Sequence, residues 1–365
     1  YVSKVDEEHV CKNVFIGKTD VSGMTKEEAV KAVDNTLGDY RNKQLVLKIK
    51  DHGADVSIEE MGAEVENIDK IAEKAVGYGK NGSMWSRYQK IHNLNRKKYV
   101  IDESFKVDEA KLRELIQERA VPLEQKAVNA SASYNGSGFD LTDEAEGYTV
   151  DVDKSVKKIK NFMNKKWNYE DAEVELKLDT EEPTIKKADL ESLQDELGSY
   201  TTNAGWGDRV QNIRRATELI NGTVVMPGEE FSVEQATLPY TEENGYVAGS
   251  ADENGQIVES IGGGLCQVST TLYNAVLYAE LEVTRRAPHS MSVSYVEPSR
   301  DAMIAEGISD FKFVNNYDTP ILIEGYIDGN NQLGFYIYGK DTRAAGHSVK
   351  FESETLETTE YTKKY

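Results

Sequence analysis

The sequence predicts an α+β protein: two small repeated α+β domains, then a mixed α+β domain with one prominent helix and an antiparallel sheet. Three observations carry that prediction. Short β-prone runs alternate with amphipathic helical runs over the first 200 residues. One order of elements occurs twice in that stretch, as a duplicated unit would. From Thr201 Lys becomes rarer and Gly, Thr, Val and Arg commoner, and β-prone runs gather after one helical segment.

Taken in order, Val14–Ile16 reads as a strand. A turn at Gly23 follows, then a helix from Thr25 with apolar positions Ala29, Val30, Val33 and Leu37. Thr25 and Glu28 form a capping-box pattern, which satisfies two amides at the helix start. LVLKIK (Leu45–Lys50) is a strand. Ala54–Val76 and Ser137–Met163 share the order β, acidic turn, Gly, short β, helix. Between them lie a strand and a helix from Asp108, then Pro122 and the small-residue stretch Ala127–Gly138, read as a hinge. Ala172–Ile185 reads as a strand and Lys187–Tyr200 as a helix. Arg209–Ile220 is a helix, Asn221-Gly222 a turn, and MSVSYV, DAMIA, FKFVNN, PILIEGYI and QLGFYIYGK are β-like. The expected boundaries are 1–125 and 126–200 for the repeats and 201–345 for the mixed domain. Residues 346–365 are a linker or the start of a further β module.

Composition narrows the function. Of 365 residues, 39% are hydrophobic and 29% charged, enough apolar content for real cores. The formal net charge is −21, from 64 acids against 43 bases. Phosphate contacts need a basic surface, so nucleic-acid binding is disfavoured, and so is adhesion to anionic lipid. Cys11 and Cys266 are the two cysteines, too few for a disulfide framework and without metal-ligand spacing, so neither a metal nor a cofactor is expected.

IGGGLCQVSTTLYNA (Ile261–Ala275) is the most informative stretch. Val268, Leu272, Ala275, Val276 and Ala279 fall at helical spacing, which puts Cys266 at the helix start. Helix N-termini carry outward-pointing amides and a positive end, which favour a thiolate. Gly262, Gly263 and Gly264 allow close approach, and their amides are candidates to hold an oxyanion. His289 and Asp301 are placed at the starts of two strands, with Asp310 and Asp208 as alternative acids. Cysteine, then histidine, then acid resembles the order of transglutaminase-like and papain-like cysteine enzymes. Gln267, Arg286 and Trp206 are candidate substrate contacts, with Arg285 beside Arg286 as a second guanidinium suited to a carboxylate. The bland alternative is a buried structural thiol beside a tight crossing. Trp85 and Tyr88 are candidate glycan contacts or packing anchors.

Between Phe231 and Asn316 the chain resembles the VanW family, through MPGEEFS, NGYVAGS, GGGLCQVSTTLYNAVLYAELEVTRRAPHS, YVEPSRDA and DFKFVNN. One departure is Ser299-Arg300, where a Gly is expected before Asp301. The preceding region is similar to repeats named for peptidoglycan binding, through GMTKEEA, Ala75–Tyr88 and GFDLTDEAEGYTVD. The C-terminal SETLETTEYTKKY is similar to the opening strand of a G5 module. The resemblance implies an extracellular cell-wall protein of a Gram-positive bacterium, membrane-anchored by a segment preceding this sequence, with peptidoglycan or a wall peptide as partner and a link to vancomycin resistance. It hands over no reaction. Two functions follow: a peptidoglycan-binding protein, or a cysteine-dependent amidase, peptidase or transpeptidase using Cys266, His289 and Asp301.

Overall fold

In the computed structural model, which describes residues 6–253 and 256–358, the strand expected at Leu45–Lys50 forms as Gln44–Ile49. Leu45, Leu47 and Ile49 are fully buried, the period-two pattern of a strand with one face in the core. It pairs antiparallel with His52–Ser57 and parallel with Ala172–Glu175. Helix α1 (Lys26–Asp39) starts at the expected capping box: Glu28 N–H donates to Thr25 Oγ1 at 3.2 Å, and Thr25 N–H donates to Glu28 Oε2 at 2.9 Å. Helices α2 (Ile68–Gly77), α3 (Met84–Leu94), α4 (Glu109–Arg119) and α5 (Val152–Lys165) complete this part. Asp108 and Asp151 cap α4 and α5.

These elements form one unit, residues 6–127 with Glu146–Glu182, around one hydrophobic cluster running from Val10 to Leu176. The expected boundary at 125/126 therefore does not separate the compact units. Gln44–Ile49 needs Ala172–Glu175 as its parallel neighbour, so the two similar stretches share a core. The stretch Ala127–Gly138 expected as a hinge lies mostly within Val128–Ala145, which carries a hairpin (Ala132–Tyr134 with Phe139–Leu141) and belongs to the second unit. Cys11 is half-buried; its thiol donates to Tyr78 O at 3.4 Å, and burial pushes its pKa up.

The second unit comprises Val128–Ala145 with residues 183–358. The helix expected over Lys187–Tyr200 is one turn, α6 (Lys187–Leu190), and Asp195–Asn203 is a strand. Gly198 explains part of the switch: a Cβ there would lie 2.4 Å from Ala279 N, so only glycine lets this strand pass so close. The sheet runs Asp195–Asn203, Gln332–Gly339, Ile321–Ile327, Thr223–Val225, antiparallel throughout. One face buries Leu333, Phe335, Ile337, Ile321 and Ile323 against α7 (Arg209–Ile220) and α9 (Leu265–Tyr278); α8 (Val233–Thr237) lies between them in sequence. The other face packs Leu322 and Tyr338 with Ala130, Ala132, Leu190 and Leu193. MSVSYV and DAMIA form no strands: residues 286–310 are irregular apart from a bridge between Ala305 and Ser309. Residues 346–358 form no strand either, and the end of the expected β module lies outside the described residues.

Candidate functional site

Cys266 is the second residue of α9. The glycines before it serve geometry first. Gly262 and Gly264 sit at φ +85° and +107°, a region that strains other residues. A Cβ on Gly263 would lie 2.3 Å from Gly249 O, so the loop crosses the strand Ala248–Glu253 at backbone contact. Buried Asn212 on α7 locks the crossing, accepting from Val247 N–H at 2.8 Å and donating to Val247 O at 3.0 Å and Gly263 O at 2.9 Å. The amides of Gly262 and Gly263 donate to Val247 O and Ser260 O. Those two are thus committed to the fold, which corrects the expectation that the whole glycine loop offers free donors.

His289 and Asp301 come together although neither is on a strand. Asp301 Oδ2 accepts from His289 N–H at 2.6 Å and lies 2.6 Å from His289 Nδ1. The side chains are 7% and 11% exposed, so the pair is shielded from water. With Nδ1 on the carboxylate, Nε2 is the remaining ring nitrogen, and Cys266 is near enough to act on the imidazole's protonation. Burial by itself would push the His289 pKa down, yet contact with Cys266 and Asp301 outweighs it and holds the imidazole above its ordinary value. For Asp301, burial is likewise opposed and exceeded, here by the His289 donors, and the carboxyl lies below its ordinary range.

Helix α9 builds the relay from one of its faces. The Cys266 thiol donates to Ile304 O at 3.4 Å. Thr270 Oγ1 accepts from Ala302 N–H at 3.0 Å and donates to Ala302 O at 3.3 Å. Asn274 Nδ2 donates to Arg300 O at 2.8 Å. Positions 266, 270 and 274 are four apart, so they share a helix face and clamp residues 300–304 along it. These side-chain bonds replace the ladder bonds a strand would have used. Ser299 takes φ +66°, the left-handed conformation for which glycine was expected at this turn.

The remaining candidates fare differently. Arg286 is turned inward: Nε donates to Asp301 O at 2.6 Å, Nη2 to Asp301 Oδ1 at 2.9 Å and to Ser299 O at 3.1 Å. It positions Asp301 rather than meeting a ligand. Arg285 Nη2 donates to Ile308 O at 2.9 Å. Gln267 is buried, its Nε2 donating to Thr202 Oγ1 and Asn203 O at 2.8 Å and its Oε1 accepting from Arg209 at 3.1 Å. Trp206 is 82% exposed and lies outside the cleft lining. Asp310 accepts from Ser232 Oγ and Glu234 N–H, anchoring the start of α8, and Asp208 flanks α7. Neither replaces Asp301.

Partly buried Cys266 and the largely shielded His289 line a cleft of about 460 Å³ that also takes in Gly262–Gly264, Arg209, Tyr240, Tyr295 and Glu306. Burial first, then the neighbouring Cys266, push the Tyr295 hydroxyl far above its ordinary pKa, so it stays protonated there. Tyr240 is pushed up to about 12, mainly by burial. Thr270, Asn274, Asn212 and Tyr295 were not anticipated; the four-residue spacing after Cys266 was the signal that could have found the first two. Among the described residues, no group of three or more His, Cys, Asp or Glu side chains could hold a metal ion.

Fold and site thus define a two-unit α+β protein whose second unit carries a thiol, an imidazole and a carboxylate in series at the floor of a surface cleft. The family described as VanW like protein matches residues 208–338, which contain the whole relay, and the family described as "Putative peptidoglycan binding domain" matches residues 54–172. The chain is 37% identical over 187 residues to the uncharacterized protein YoaR of Bacillus subtilis, covering 49% of this chain and 61% of that one. It is 28% identical over 179 residues to the vancomycin B-type resistance protein VanW of Enterococcus faecalis, covering 45% of this chain and 65% of that one. It therefore spans less than two thirds of the curated relatives it matches. No solved structure matches. The chain thus carries a VanW-like region, preceded by a region similar to a "Putative peptidoglycan binding domain".

Proposed function

We propose that the VanW-like unit is a cysteine-dependent acyl-transfer enzyme acting on wall peptides, brought to peptidoglycan by the first unit. The observation that carries this reading is the series Cys266–His289–Asp301, with 2.6 Å between His289 Nδ1 and Asp301 Oδ2, lining an open cleft. A structural thiol needs no imidazole, and a structural histidine needs no thiol beside it. The reaction starts when Cys266 Sγ attacks the carbonyl carbon of an amide, forming a C–S bond, while its proton passes to His289 Nε2. His289 then gives that proton to the leaving nitrogen as the C–N bond breaks. Water, or an amine of a second strand, attacks the thioester; His289 takes its proton and the sulfur departs. Asp301 holds the imidazole in the required tautomer, and Arg286 holds Asp301. Oxyanion donors come from Gly264, Cys266 or the protonated Tyr295, since the Gly262 and Gly263 amides are used elsewhere. A location at the cell wall and a part in glycopeptide resistance belong to the same proposal, supported by the names of the matched domain and relative.

Purified peptidoglycan incubated with the protein, then digested and examined by mass spectrometry, tests it. New or lost cross-links or stem peptides should appear with the wild type and vanish with Cys266→Ala and with His289→Gln. Identical products from the wild type and Cys266→Ala remove the enzyme reading. Cosedimentation with that peptidoglycan, unaffected by Cys266→Ala, would then leave wall binding as the function.

A further inference from the structure

Helix α3 (Met84–Leu94) is amphipathic in reverse. It turns Leu94 inward and presents its aromatic stripe to solvent: Met84 is 77% exposed, Trp85 67% and Tyr88 44%. The rings of Trp85, Tyr88 and His92 lie side by side, with centroids 6.1 Å and 5.7 Å apart and planes within 15°. Leaving side chains of this size in water forfeits the stabilisation that burial would give. Nothing in the catalytic proposal uses them.

The charge around this stripe is opposite to that of the chain. From Lys80 to Ile101 stand Lys80, Arg87, Lys90, Arg96, Lys97 and Lys98, with no Asp or Glu, in a protein whose net charge is −21. Lys80 donates to His9 O, and Lys90 and Lys98 lie over the rings of Tyr78 and Phe15. None of the six is in an ion pair among the described residues, although surface lysines elsewhere pair repeatedly. The average charge argues against anionic surfaces only at long range. Screening confines electrostatics to roughly 8 Å at physiological salt, so the local sign decides.

We propose that α3 and the basic turn after it (Arg96–Lys98) form a docking surface for an anionic phospholipid membrane. Met84, Trp85 and Tyr88 enter the headgroup boundary, and the cations meet lipid phosphates. Aromatic and apolar side chains beside Lys and Arg are the combination that binds helices flat on membranes. A neutral glycan uses the aromatic stripe but not the charge: six cations with no acid among them select an anionic partner. Among the described residues no helix is long and apolar enough to cross a membrane, so the contact is peripheral. It is independent of the acyl-transfer proposal.

The test uses the full chain with vesicles of pure phosphatidylglycerol against vesicles of pure phosphatidylcholine, read by cosedimentation and tryptophan emission. Binding should be confined to phosphatidylglycerol, weaken with salt and shift emission to the blue. Arg96→Gln/Lys97→Gln/Lys98→Gln should weaken it on the order of a hundredfold, taking about 1 kcal/mol per cation. Trp85→Ala should abolish most of the blue shift. All four side chains are exposed, and unchanged circular dichroism confirms that the variants fold. Equal binding to both lipids, no binding, or indifference to these substitutions overturns the proposal. So does binding to purified peptidoglycan that Trp85→Ala abolishes while vesicles bind nothing, which would assign the stripe to glycan. A concentration-dependent dimer broken by the same substitution would assign it to a second copy.

Discussion

Asp301→Asn separates a working relay from a chance cluster. The carboxylate receives His289 Nδ1 and N–H at 2.6 Å each and Arg286 Nη2 at 2.9 Å. An amide of the same shape sets an N–H against donors on one side and leaves the Arg286 charge, 22% exposed, without its counter-ion. Breaking one half of a buried pair costs about 3–5 kcal/mol. Arg286 keeps its bonds to two backbone carbonyls, so the lower part of that range applies, about 3–4 kcal/mol. At roughly 2–4 °C per kcal/mol for a unit of this size, thermal unfolding should fall by about 6–16 °C. The second effect is chemical. Without Asp301 the imidazole loses one of the two contacts that outweigh its burial, and its pKa falls. Iodoacetamide labelling of Cys266 should therefore slow, while Cys11 labels as before. Wild-type labelling rates in Asp301→Asn would refute the relay even if the protein were destabilised, because a purely structural aspartate predicts the melting change alone.

Three further outcomes follow from the same geometry. His289 lies above its ordinary value and Asp301 below. The histidine's contribution is therefore complete below about pH 6.5 and lost as pH rises through its folded value, and the aspartate's is complete above about pH 4 and lost as pH falls through its folded value. Chemical denaturation should accordingly show the stability gap between wild type and His289→Gln widest between those limits and narrowing towards pH 9; a gap that widens there contradicts the assignment. Gly263→Ala places a Cβ 2.3 Å from Gly249 O and 2.8 Å from Ser250 O, backbone atoms that must move; a loss of about 1–3 kcal/mol or more in thermal melts is expected, and a neutral result would mean the crossing is looser than described. Thr270→Val strands the buried Ala302 N–H at about 1–3 kcal/mol and loosens the loop bearing Asp301. Cys266 labelling should slow, and Thr270→Ser should restore it; labelling unchanged in Thr270→Val would show that the clamp does not position the relay.

Local signals were readable wherever local physics decides. The capping box at Thr25, the strand at Leu45–Lys50 and the helix from Arg209 to Ile220 rest on neighbours within a few residues, and all three form. The helix read over Lys187–Tyr200 fails because Asp195–Asn203 finds Gln332–Gly339 as a partner, a pairing across more than 130 residues that no window contains. His289 and Asp301 were read as strand residues because their neighbours are β-prone. Side-chain bonds from Thr270 and Asn274 hold the chain in an irregular path instead. Arg286 and Gln267 have the right chemistry for a ligand, but both are spent on the protein.

What the sequence determined by itself is the helix that begins at Cys266, the flexible glycines before it and the residue types of a thiol relay. These follow from spacing and backbone freedom, which are properties of a short stretch. What only the tertiary structure decided is that Cys266 and His289 line one cleft, that Asp301 rather than Asp310 or Asp208 lies against His289, and that the glycines mostly permit a backbone crossing. Distances between residues 12 to 35 positions apart depend on how α9, its clamped loop and the strand Ala248–Glu253 pack, and packing is a property of the whole unit.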